Sequence, residues 1–319
     1  MKAYDASMQR VFGGGRWREL KEALLRPARA CALLQSADAI TLEQKWRERG
    51  FEAPLVALED LGCVVAPEDA PRLPKPHKDL STGFKDYYPL DLASVLCASA
   101  LGVRTGETVL DIAAAPGGKS LVLAKALGSR GRLVLNDVSP SRRARLKQVL
   151  IDYLPTQKRQ RTQVLGQKGA AFGSLMANTF DRVLADVPCS GDRHLLANAS
   201  ELERWTPRRP KLMAGRQVGI LSGGLHALKP GGVLVYATCA LSPLENDEVV
   251  NAAVRRCRRK FPVSVLSGEH AWQGLEGSLV KTAASADVEL EETEVGQMVL
   301  PDRSAGWGPL YWCVLRKDI

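Results

Sequence analysis

The sequence predicts a doubly wound α/β domain, in which helices cover both faces of a mostly parallel sheet. From about residue 82, short apolar segments alternate with helical patterns, and this rhythm is typical of such a sheet. The segments predicted to be strands are TVLDI, RLVLND, TQVLG, DRVLAD, GVLVYAT, GQMVLP and LYWCVLRK. Among the connecting helices, SPSRRARLKQVLIDYL has Ser139 placed to cap the free amides and Pro140 at the first helical position. Ligands bind at the carboxyl ends of the strands in such sheets, so a site is expected there.

The N-terminal region has a different pattern. Residues 1 to about 68 predict short helices: YDASMQRVF, then a turn at Gly13 to Gly15, then RWRELKEALLRPARACALLQ with apolar residues at helical spacing. The stretch 66–78 has four prolines in thirteen residues, which is typical of a linker or an extended arm. We therefore expect a small helical region with its linker over 1–80, followed by the α/β domain over 81–319.

The composition is that of a globular protein. The chain has 319 residues, of which 45% are hydrophobic and 25% charged, so it is expected to be soluble. No apolar run approaches the ~18 residues that a membrane span needs, and the first 30 residues lack the apolar core of a secretory signal.

The seven cysteines are widely spaced without a C-x-x-C pair, and there are four histidines. This pattern argues against a disulfide framework or a zinc site and favours a reducing compartment.

Positive charge is in excess and clustered. The chain has 44 Lys and Arg against 35 Asp and Glu, a net charge of +9. Its basic residues concentrate in SRRARLK (141–147), RWTPRRPK (204–211) and RRCRRK (255–260). Clusters of this kind bind polyphosphates by displacing counterions. Each cluster alone would be assigned to a solvated helix face, but the three together favour a nucleic-acid partner.

The loop after the first predicted strand, AAAPGGKS (113–120), differs from a phosphate-binding loop by one residue. Ala113 stands where that pattern needs glycine, and Pro116 removes a backbone donor, so a triphosphate site is disfavoured. Asp137 ends the second predicted strand nineteen residues after Gly118, near the spacing at which a carboxylate binds ribose hydroxyls. The glycine pair would let the backbone approach an adenosine-containing ligand closely. A helix cap or a loop charge is the alternative for Asp137 alone.

Two cysteines are predicted to meet at the same rim of the sheet. The segment ADVPCSGDRH (185–194) places Asp186 and Cys189 at the end of the fourth predicted strand, and YATC places Cys239 at the end of the fifth. Either cysteine alone would be assigned to the core as a small hydrophobe. Two of them beside a carboxylate and an adenosine-type loop are hard to explain by packing, and they indicate a chemical role.

The segments VLDIAAAPGGKS, DVPCSGDRH and YATCALSPLENDEVV closely resemble the signature motifs of the Nop/Sun (RsmB-like) family of RNA cytosine-5 methyltransferases. The resemblance extends to VFGGGRWRELKEALL, YYPLDLASVLCASALGVRTGE, LNDVSPSRRARL and GPLYWCVLRK, and it is closest to the mitochondrial-ribosome branch of the family. It implies a seven-stranded, mostly parallel Rossmann-like methyltransferase sheet and S-adenosylmethionine as the cofactor. It also implies formation of 5-methylcytosine in RNA, above all ribosomal RNA, in mitochondria.

The reaction implied by the resemblance needs a nucleophile, because carbon 5 of cytosine accepts a methyl group poorly until a thiolate adds to carbon 6. The resemblance assigns the nucleophile to Cys239 and product release to Cys189. It assigns contact with the base to Asp186. The cofactor-binding residues that it implies are Gly117, Gly118 and Lys119 at the methionine end, Asp137 at the ribose, Arg142 nearby, and Asp186.

The sequence departs from the family pattern in two places. Ala113 replaces a usual cysteine, which we expect to change packing only. Lys168 and Gly169 stand where the family commonly has an Asp-Gly pair whose acid meets the adenine amino group. A lysine cannot accept that hydrogen bond. Losing one such bond costs about 0.5–1.5 kcal/mol, so cofactor binding is expected to weaken by roughly tenfold or less.

Two other functions stay open. Lys168 and the basic clusters are compatible with a catalytically weak or inactive RNA-binding factor that keeps the methyltransferase fold. The mitochondrial branch implies such a role in a large-subunit assembly intermediate, with a helical-repeat partner of the transcription-termination-factor family. In either role the N-terminal region would contact RNA or the partner, and no membrane association is expected. The third hypothesis is a P-loop nucleotidase in which Asp186 binds magnesium.

Overall fold

The N-terminal part of the chain contains a small sheet as well as helices. The computed structural model describes residues 2–35, 38–70, 72–266 and 278–319. The elements of its N-terminal part are α1 (Lys2–Phe12), α2 (Gly14–Leu25), β1 (Cys31–Leu34), α3 (Ala39–Arg47), β2 (Val56–Leu58), β3 (Cys63–Val65), β4 (Tyr87–Leu90) and α4 (Leu92–Ser99). The four strands form an antiparallel sheet in the order β2-β3-β1-β4.

The expectation of a helical N-terminal region is therefore wrong in part. The segment RPARACALLQ continues the apolar spacing of α2, but Pro27 disfavours the helical conformation of the residue before it. Arg26 is accordingly extended, with ψ of 155°, and α2 ends at Leu25. The residues of β1 then pair with β3 on one side and β4 on the other. Because β4 follows the predicted boundary at residue 80, the small sheet draws on both sides of it, and the domain division stays a prediction.

The rest of the chain builds one large sheet with its helices. Its strands are β5 (Thr108–Asp111), β6 (Arg132–Asn136), β7 (Thr162–Leu165), β8 (Phe180–Asp186), β9 (Leu228–Thr238), β10 (Val263–Leu266), β11 (Glu291–Glu292), β12 (Gln297–Val299) and β13 (Leu310–Lys317). Its helices are α5 (Gly118–Ala126), α6 (Pro140–Tyr153), α7 (Thr156–Gln160), α8 (Phe172–Leu175), α9 (Asp192–Ala197), α10 (Ala199–Glu203), α11 (Arg208–Ala227), α12 (Asp247–Cys257) and α13 (Ser278–Ser285).

The strand order of the large sheet confirms the predicted fold class. The strands run in the order β11-β12-β13-β9-β8-β5-β6-β7, and β10 pairs with β13. The five strands from β9 to β7 are parallel, whereas β13 runs antiparallel to β9. All of the predicted strands are present. The sheet has nine strands instead of seven in the described residues, because the short strands β10 and β11 add to its antiparallel side.

Helices bury both faces of the large sheet. Val109 and Leu110 are neighbours on β5, and they lie in different cores because successive side chains of a strand point to opposite faces. The first core includes residues of α4, α5 and α6, and the second includes residues of α11 and α12. Helices α1 and α2 also belong to the second core, where the ring of Tyr4 lies edge-on to Trp205 with centroids 5.1 Å apart. The N-terminal helices therefore pack directly on the main domain.

Helix α6 begins where the sequence predicts. Pro140 is its first residue, and the Ser139 side chain accepts the backbone N–H of Arg142. Among the helices of the described ranges, none is both long enough and apolar enough to cross a bilayer.

Candidate active site

The predicted site residues lie at the rim formed by the carboxyl ends of the parallel strands. The order of the sheet reverses between β5 and β8, since β6 and β7 follow on one side and β9 on the other. Such a switch point leaves a crevice between the loops that follow the two strands. Asp186 ends β8 in register with Ala237 of β9, two residues before Cys239. The rim therefore brings the loops of Asp186, Cys189 and Cys239 together.

The two cysteines of the rim lie side by side. The Sγ atoms of Cys189 and Cys239 are 3.1 Å apart, which is longer than a disulfide bond and within hydrogen-bond reach. Both thiols are free and half-buried. The hydrogen bond with Cys239, followed by burial, raises the pKa of Cys189 well above its usual value. Cys189 therefore keeps its proton and can donate a hydrogen bond to the sulfur of Cys239.

Side chains hold the turn that carries Cys239. The Thr238 hydroxyl donates to Asn246 Oδ1 at 2.6 Å and accepts the backbone N–H of Ala240 at 3.1 Å. Asn246 Nδ2 in turn donates to the Ala240 carbonyl at 2.9 Å. The backbone of Ala240, directly after Cys239, is thereby held through both its N–H and its carbonyl.

A buried carboxylate holds the loop that carries Cys189. Glu245 is fully buried, and it accepts the Ser190 N–H at 3.0 Å, Gln217 Nε2 at 2.9 Å and the Ser190 hydroxyl. Gln217 also donates to the Pro188 carbonyl at 3.0 Å. Burial raises the pKa of Glu245, and the donated hydrogen bonds offset only part of that shift. Ser190, which follows Cys189, is thus bonded directly to Glu245. Pro188, which precedes Cys189, is connected to Glu245 through Gln217.

Asp186 forms an ion pair with Lys119. Lys119 Nζ lies 2.7 Å from Asp186 Oδ2, and only 13% of the lysine side chain is exposed. Burial by itself lowers the pKa of Lys119, but the carboxylate of Asp186, together with the nearby Cys97 and Cys239 sulfurs, holds that pKa above its usual value. The lysine is therefore charged, and one of its three N–H donors is directed to Asp186. The pair joins the start of α5 to the end of β8.

Asp137 and Arg142 meet beside the glycine loop. Asp137 is buried, and its Oδ1 accepts the Ser139 N–H at 2.9 Å. Its Oδ2 lies 3.2 Å from Arg142 Nη1 and accepts no hydrogen bond from the residues that the structure describes. Arg142 also donates to the carbonyl of Ala115 in the loop. Because a buried carboxylate oxygen without a hydrogen bond is unfavourable, this position fits a ligand hydroxyl such as that of a ribose.

The glycines of the loop are required by backbone conformation and by packing. Gly117 has a φ of 120°, and a Cβ there would lie 3.0 Å from Leu146 Cδ1. A Cβ on Gly118 would lie 2.7 Å from Leu90 Cδ1. Both missing Cβ atoms face protein side chains, so a larger residue would displace the start of α5. A close approach of these glycines to a ligand stays a prediction.

Comparison with known proteins agrees with this geometry. Residues 98–282, more than half of the chain, match the family model described as 16S rRNA methyltransferase RsmB/F. The chain belongs to the RsmB/F methyltransferase family. The resemblance inferred from the sequence motifs is thereby confirmed.

Relatives of this chain in the RsmB/F family are named for different RNA classes. The 5-cytosine rRNA methyltransferase NSUN4 of Bos taurus is 38% identical over 249 residues, which are 77% of this chain and 63% of that protein. The mitochondrial tRNA (cytosine(34)-C(5))-methyltransferase of Danio rerio is 32% identical over 333 residues, covering 99% of this chain and 87% of that protein. This chain therefore spans less than two thirds of the length of the bovine relative.

A solved structure shares the fold along nearly the whole chain. NSun6 from Pyrococcus horikoshii with SFG superposes with a TM-score of 0.70, covering 99% of this chain and 98% of that one. The sequence identity is 16%, so the similarity is one of fold.

Lys168 lies at the rim, just after β7. Its side chain is exposed, and a short turn over Gly169–Ala171 follows it. Asn136 ties this segment to the neighbouring strands: its Oδ1 accepts the Gln167 N–H at 2.8 Å, and its Nδ2 donates to the Ile112 carbonyl at 2.9 Å. A role of Lys168 at the adenine side of the RsmB/F cofactor site stays a prediction.

Three buried acids of this region were not predicted from the sequence as site residues: Asp111, Asp192 and Glu245. Asp111 ends β5, and its Oδ2 accepts the Ser120 hydroxyl at 2.7 Å. Burial raises the pKa of Asp111 to about 7. Each of the three acids belongs to a segment that resembles an RsmB/F motif, and that membership is the signal that could have found them.

Proposed function

We propose that this chain is an S-adenosylmethionine-dependent methyltransferase that forms 5-methylcytosine in RNA, with mitochondrial ribosomal RNA as its substrate. The observation that carries the proposal is the 3.1 Å separation of the Cys189 and Cys239 sulfurs beside the ion pair of Asp186 and Lys119. Two thiols and a carboxylate supply a nucleophile and neighbouring groups that form hydrogen bonds to the nucleophile and to the base. Reversible addition to a pyrimidine ring needs both.

Cys239 is the nucleophile in this proposal, because the backbone of the next residue, Ala240, is held by two hydrogen bonds and Cys189 can donate a hydrogen bond to the Cys239 sulfur. Its thiolate would add to carbon 6 of cytosine, forming a C–S bond and shifting ring electrons toward carbon 5. Asp186 would bind the polar edge of the base, and the nearby positive charge of Lys119 would stabilise the negative charge that the addition places on the ring.

S-Adenosylmethionine, when bound, supplies an electrophilic methyl group. The crevice fits this cofactor through the Oδ2 atom of Asp137, which is buried and accepts no hydrogen bond in the described part of the chain. We assign the ribose to Asp137 and the methionine end to Gly117, Gly118 and Lys119. Arg142 would keep Asp137 and the glycine loop together, since it contacts both.

Cys189 would act in the release of product. After methylation, carbon 5 loses its proton to water, the C–H electrons restore the double bond between carbons 5 and 6, and the C–S electrons leave with the sulfur of Cys239. Cys189 lies 3.1 Å from that sulfur and is protonated, so it would stabilise the departing thiolate by a hydrogen bond.

The basic segment 204–211 supports RNA as the substrate class. It leads into α11 next to the Cys189 loop, where Arg209 Nη2 lies 3.5 Å from the Ser190 carbonyl. Its exposed basic residues are Arg204, Arg208 and Lys211. We infer that the RNA backbone follows this segment, because phosphates bound there would bring a nucleotide to the cysteines.

The proposal also specifies an RNA class, a compartment and a protein partner. The bovine relative is named for rRNA, and the zebrafish relative for tRNA in mitochondria. We place ribosomal RNA first because the bovine relative has the higher identity. A helical-repeat partner of the transcription-termination-factor family in a large-subunit assembly intermediate is supported by the motif resemblance, and co-purification from mitochondria tests it.

The alternatives are weaker. Membership of a methyltransferase family does not support a P-loop nucleotidase. An inactive assembly factor is not favoured, since Cys189, Cys239 and Asp186 are all present at one rim.

The test is methyl transfer from labelled S-adenosylmethionine to ribosomal RNA and tRNA transcripts, with 5-methylcytosine located by bisulfite sequencing. We expect transfer by the wild type, none by Cys239→Ala, and a stable protein–RNA adduct with Cys189→Ala. Cys257→Ala removes a buried thiol at the end of α12, and this control keeps its activity.

Each other outcome changes a defined part of the proposal. Undiminished methylation by Cys239→Ala overturns the mechanism. Transfer to tRNA alone moves the substrate assignment to tRNA. Binding of S-adenosylmethionine without transfer to either RNA supports the assembly-factor alternative instead.

A further inference from the structure

Asp192 joins the N-terminal helix α1 to the turn that carries Cys239. Its Oδ1 accepts the Tyr4 hydroxyl at 2.7 Å, and its Oδ2 accepts the backbone N–H of Leu241 at 2.7 Å. Asp192 is 2% exposed and Tyr4 1% exposed. One buried carboxylate therefore contacts both a side chain near the start of the chain and an amide two residues beyond Cys239.

Asp192 depends on these two hydrogen bonds. Within the described ranges no cationic side chain lies within salt-bridge distance of Asp192, although Arg209 acts on it from further away, and a buried carboxylate is unfavourable unless its oxygens accept hydrogen bonds. The Tyr4 ring is fixed by edge-on contacts with Trp17 and Trp205, at centroid distances of 5.7 Å and 5.1 Å. The packing of α1 thus aims the hydroxyl that keeps Asp192 in place.

Asp192 also connects the segment that carries Cys189 to the segment that carries Cys239. It is the first residue of α9, three residues after Cys189. The hydrogen-bond partners of Ala240, Thr238 and Asn246, belong to the same segment as Cys239. The backbone N–H of Leu241 instead donates to Asp192, which belongs to the segment of Cys189. The bond to Leu241 therefore locates the Cys239 turn relative to the loop of Cys189.

The residue after Asp192 fastens the N-terminal region at the same place. Arg193 Nη1 donates to the Arg26 carbonyl at 2.9 Å, and its Nη2 donates to the Gly308 carbonyl at 2.8 Å. Arg26 directly follows α2. Two consecutive residues of the segment SGDRH thus bind the N-terminal helices to the rim of the active site.

We propose that Asp192 is a positioning residue for cytosine methylation and that Tyr4 of α1 holds it, so that the N-terminal helices help to set the geometry of Cys189 and Cys239. This inference rests on the proposed function and adds to it. The N-terminal region then acts on the reaction itself, in addition to any contact with RNA or a partner.

The test compares Tyr4→Phe, Asp192→Ala and Asp192→Asn with the control Asp5→Asn. Asp5 lies next to Tyr4 on α1 and accepts Trp17 Nε1 at 3.0 Å and Lys21 Nζ at 2.8 Å, so its loss loosens the same helix without touching the turn. For each variant we would measure kcat, KM for RNA, the melting temperature, and the alkylation rate of Cys239 by iodoacetamide, resolved by peptide mass spectrometry.

We expect Asp192→Ala to lower kcat by about tenfold or more, with KM for RNA changed by less than about twofold, because the nucleophile is displaced while the RNA surface is kept. Tyr4→Phe should lower kcat less and should change the alkylation rate of Cys239. Asp192→Asn should recover most of the activity, since its oxygen can accept the Leu241 N–H and its amide can donate to the Tyr4 oxygen. Asp5→Asn should leave kcat and alkylation unchanged.

Unchanged kcat and alkylation in Asp192→Ala overturn the proposal, and so do equal losses in Tyr4→Phe and Asp5→Asn. If Asp192→Ala does not fold, the comparison of kcat and of the Cys239 alkylation rate between Tyr4→Phe and Asp5→Asn decides whether the proposal holds. If the wild type transfers no methyl group, the proposed function has failed, and the alkylation rates of the same two variants still decide whether Tyr4 is coupled to Cys239.

Discussion

Glu245 and Ser190 are joined by two hydrogen bonds. The Ser190 N–H lies 3.0 Å from Glu245 Oε2, and the Ser190 hydroxyl donates to Oε1. Ser190 follows Cys189 directly, and Glu245 lies six residues beyond Cys239. The segments of the two cysteines are therefore connected by an acid and a serine as well as by the thiols themselves.

Glu245→Gln is expected to weaken this connection, because an amide presents N–H groups where the carboxylate accepted them. We expect the free energy of unfolding to fall by about 1–3 kcal/mol and kcat for methylation to fall by about tenfold. Urea denaturation and steady-state kinetics measure the two effects. Glu248→Gln, at an exposed position of α12, is the matched control, and equal losses in both variants would contradict the role of Glu245.

Asp111 is expected to make the protein less stable as the pH rises. Burial raises its pKa to about 7, above the value of about 3.9 for an unfolded chain. Folding therefore favours the protonated acid. Its contribution to stability is complete below about pH 4 and is lost as the pH rises through about 7. The resulting change in the free energy of unfolding is at most about 4 kcal/mol.

Asp111→Asn isolates this contribution, because the amide does not titrate and its oxygen can still accept the Ser120 hydroxyl. Urea unfolding at about pH 5 and about pH 8 should show a larger loss of stability in the wild type than in the variant. The same loss in both proteins would mean that Asp111 does not titrate in this range.

Asp137→Asn is expected to weaken cofactor binding. The Asn oxygen can keep the bond to the Ser139 N–H, but the charged acceptor at Oδ2 is lost. The Kd for S-adenosylmethionine should rise by about 10- to 100-fold, as measured by calorimetry. Asp152 lies on α6, where it forms a surface ion pair with Lys85. Asp152→Asn should leave the Kd unchanged. A Kd unaffected by Asp137→Asn would remove the ribose assignment.

Lys168→Asp is expected to strengthen cofactor binding, because it introduces an acceptor at the position where the family commonly has one. The gain in affinity for S-adenosylmethionine should be about tenfold or less by calorimetry. Lys168→Met removes the charge without adding an acceptor and should change the Kd little. Equal gains in the two variants would show that the lysine charge matters and the acceptor does not.

The large sheet was predictable because its strands are apolar runs separated by helices with recognisable starts. Ser139 and Pro140 begin α6 as expected. The N-terminal sheet was not predicted, since strands such as Val56–Leu58 and Cys63–Val65 are three residues long and carry no clear period. Lys119 was assigned to the cofactor from its place in the glycine loop, and its ion pair with Asp186 became visible only in three dimensions.

The sequence by itself determined the fold class and the reactive groups at the strand ends, because both are local properties. Alternating patterns specify strands and helices, and Asp186, Cys189 and Cys239 lie at or shortly after the ends of strands. Only the tertiary structure decided that the two sulfurs lie 3.1 Å apart and that Tyr4 meets Asp192 across 188 positions of sequence. Such contacts depend on how separate elements pack around shared cores, and no local pattern encodes that packing.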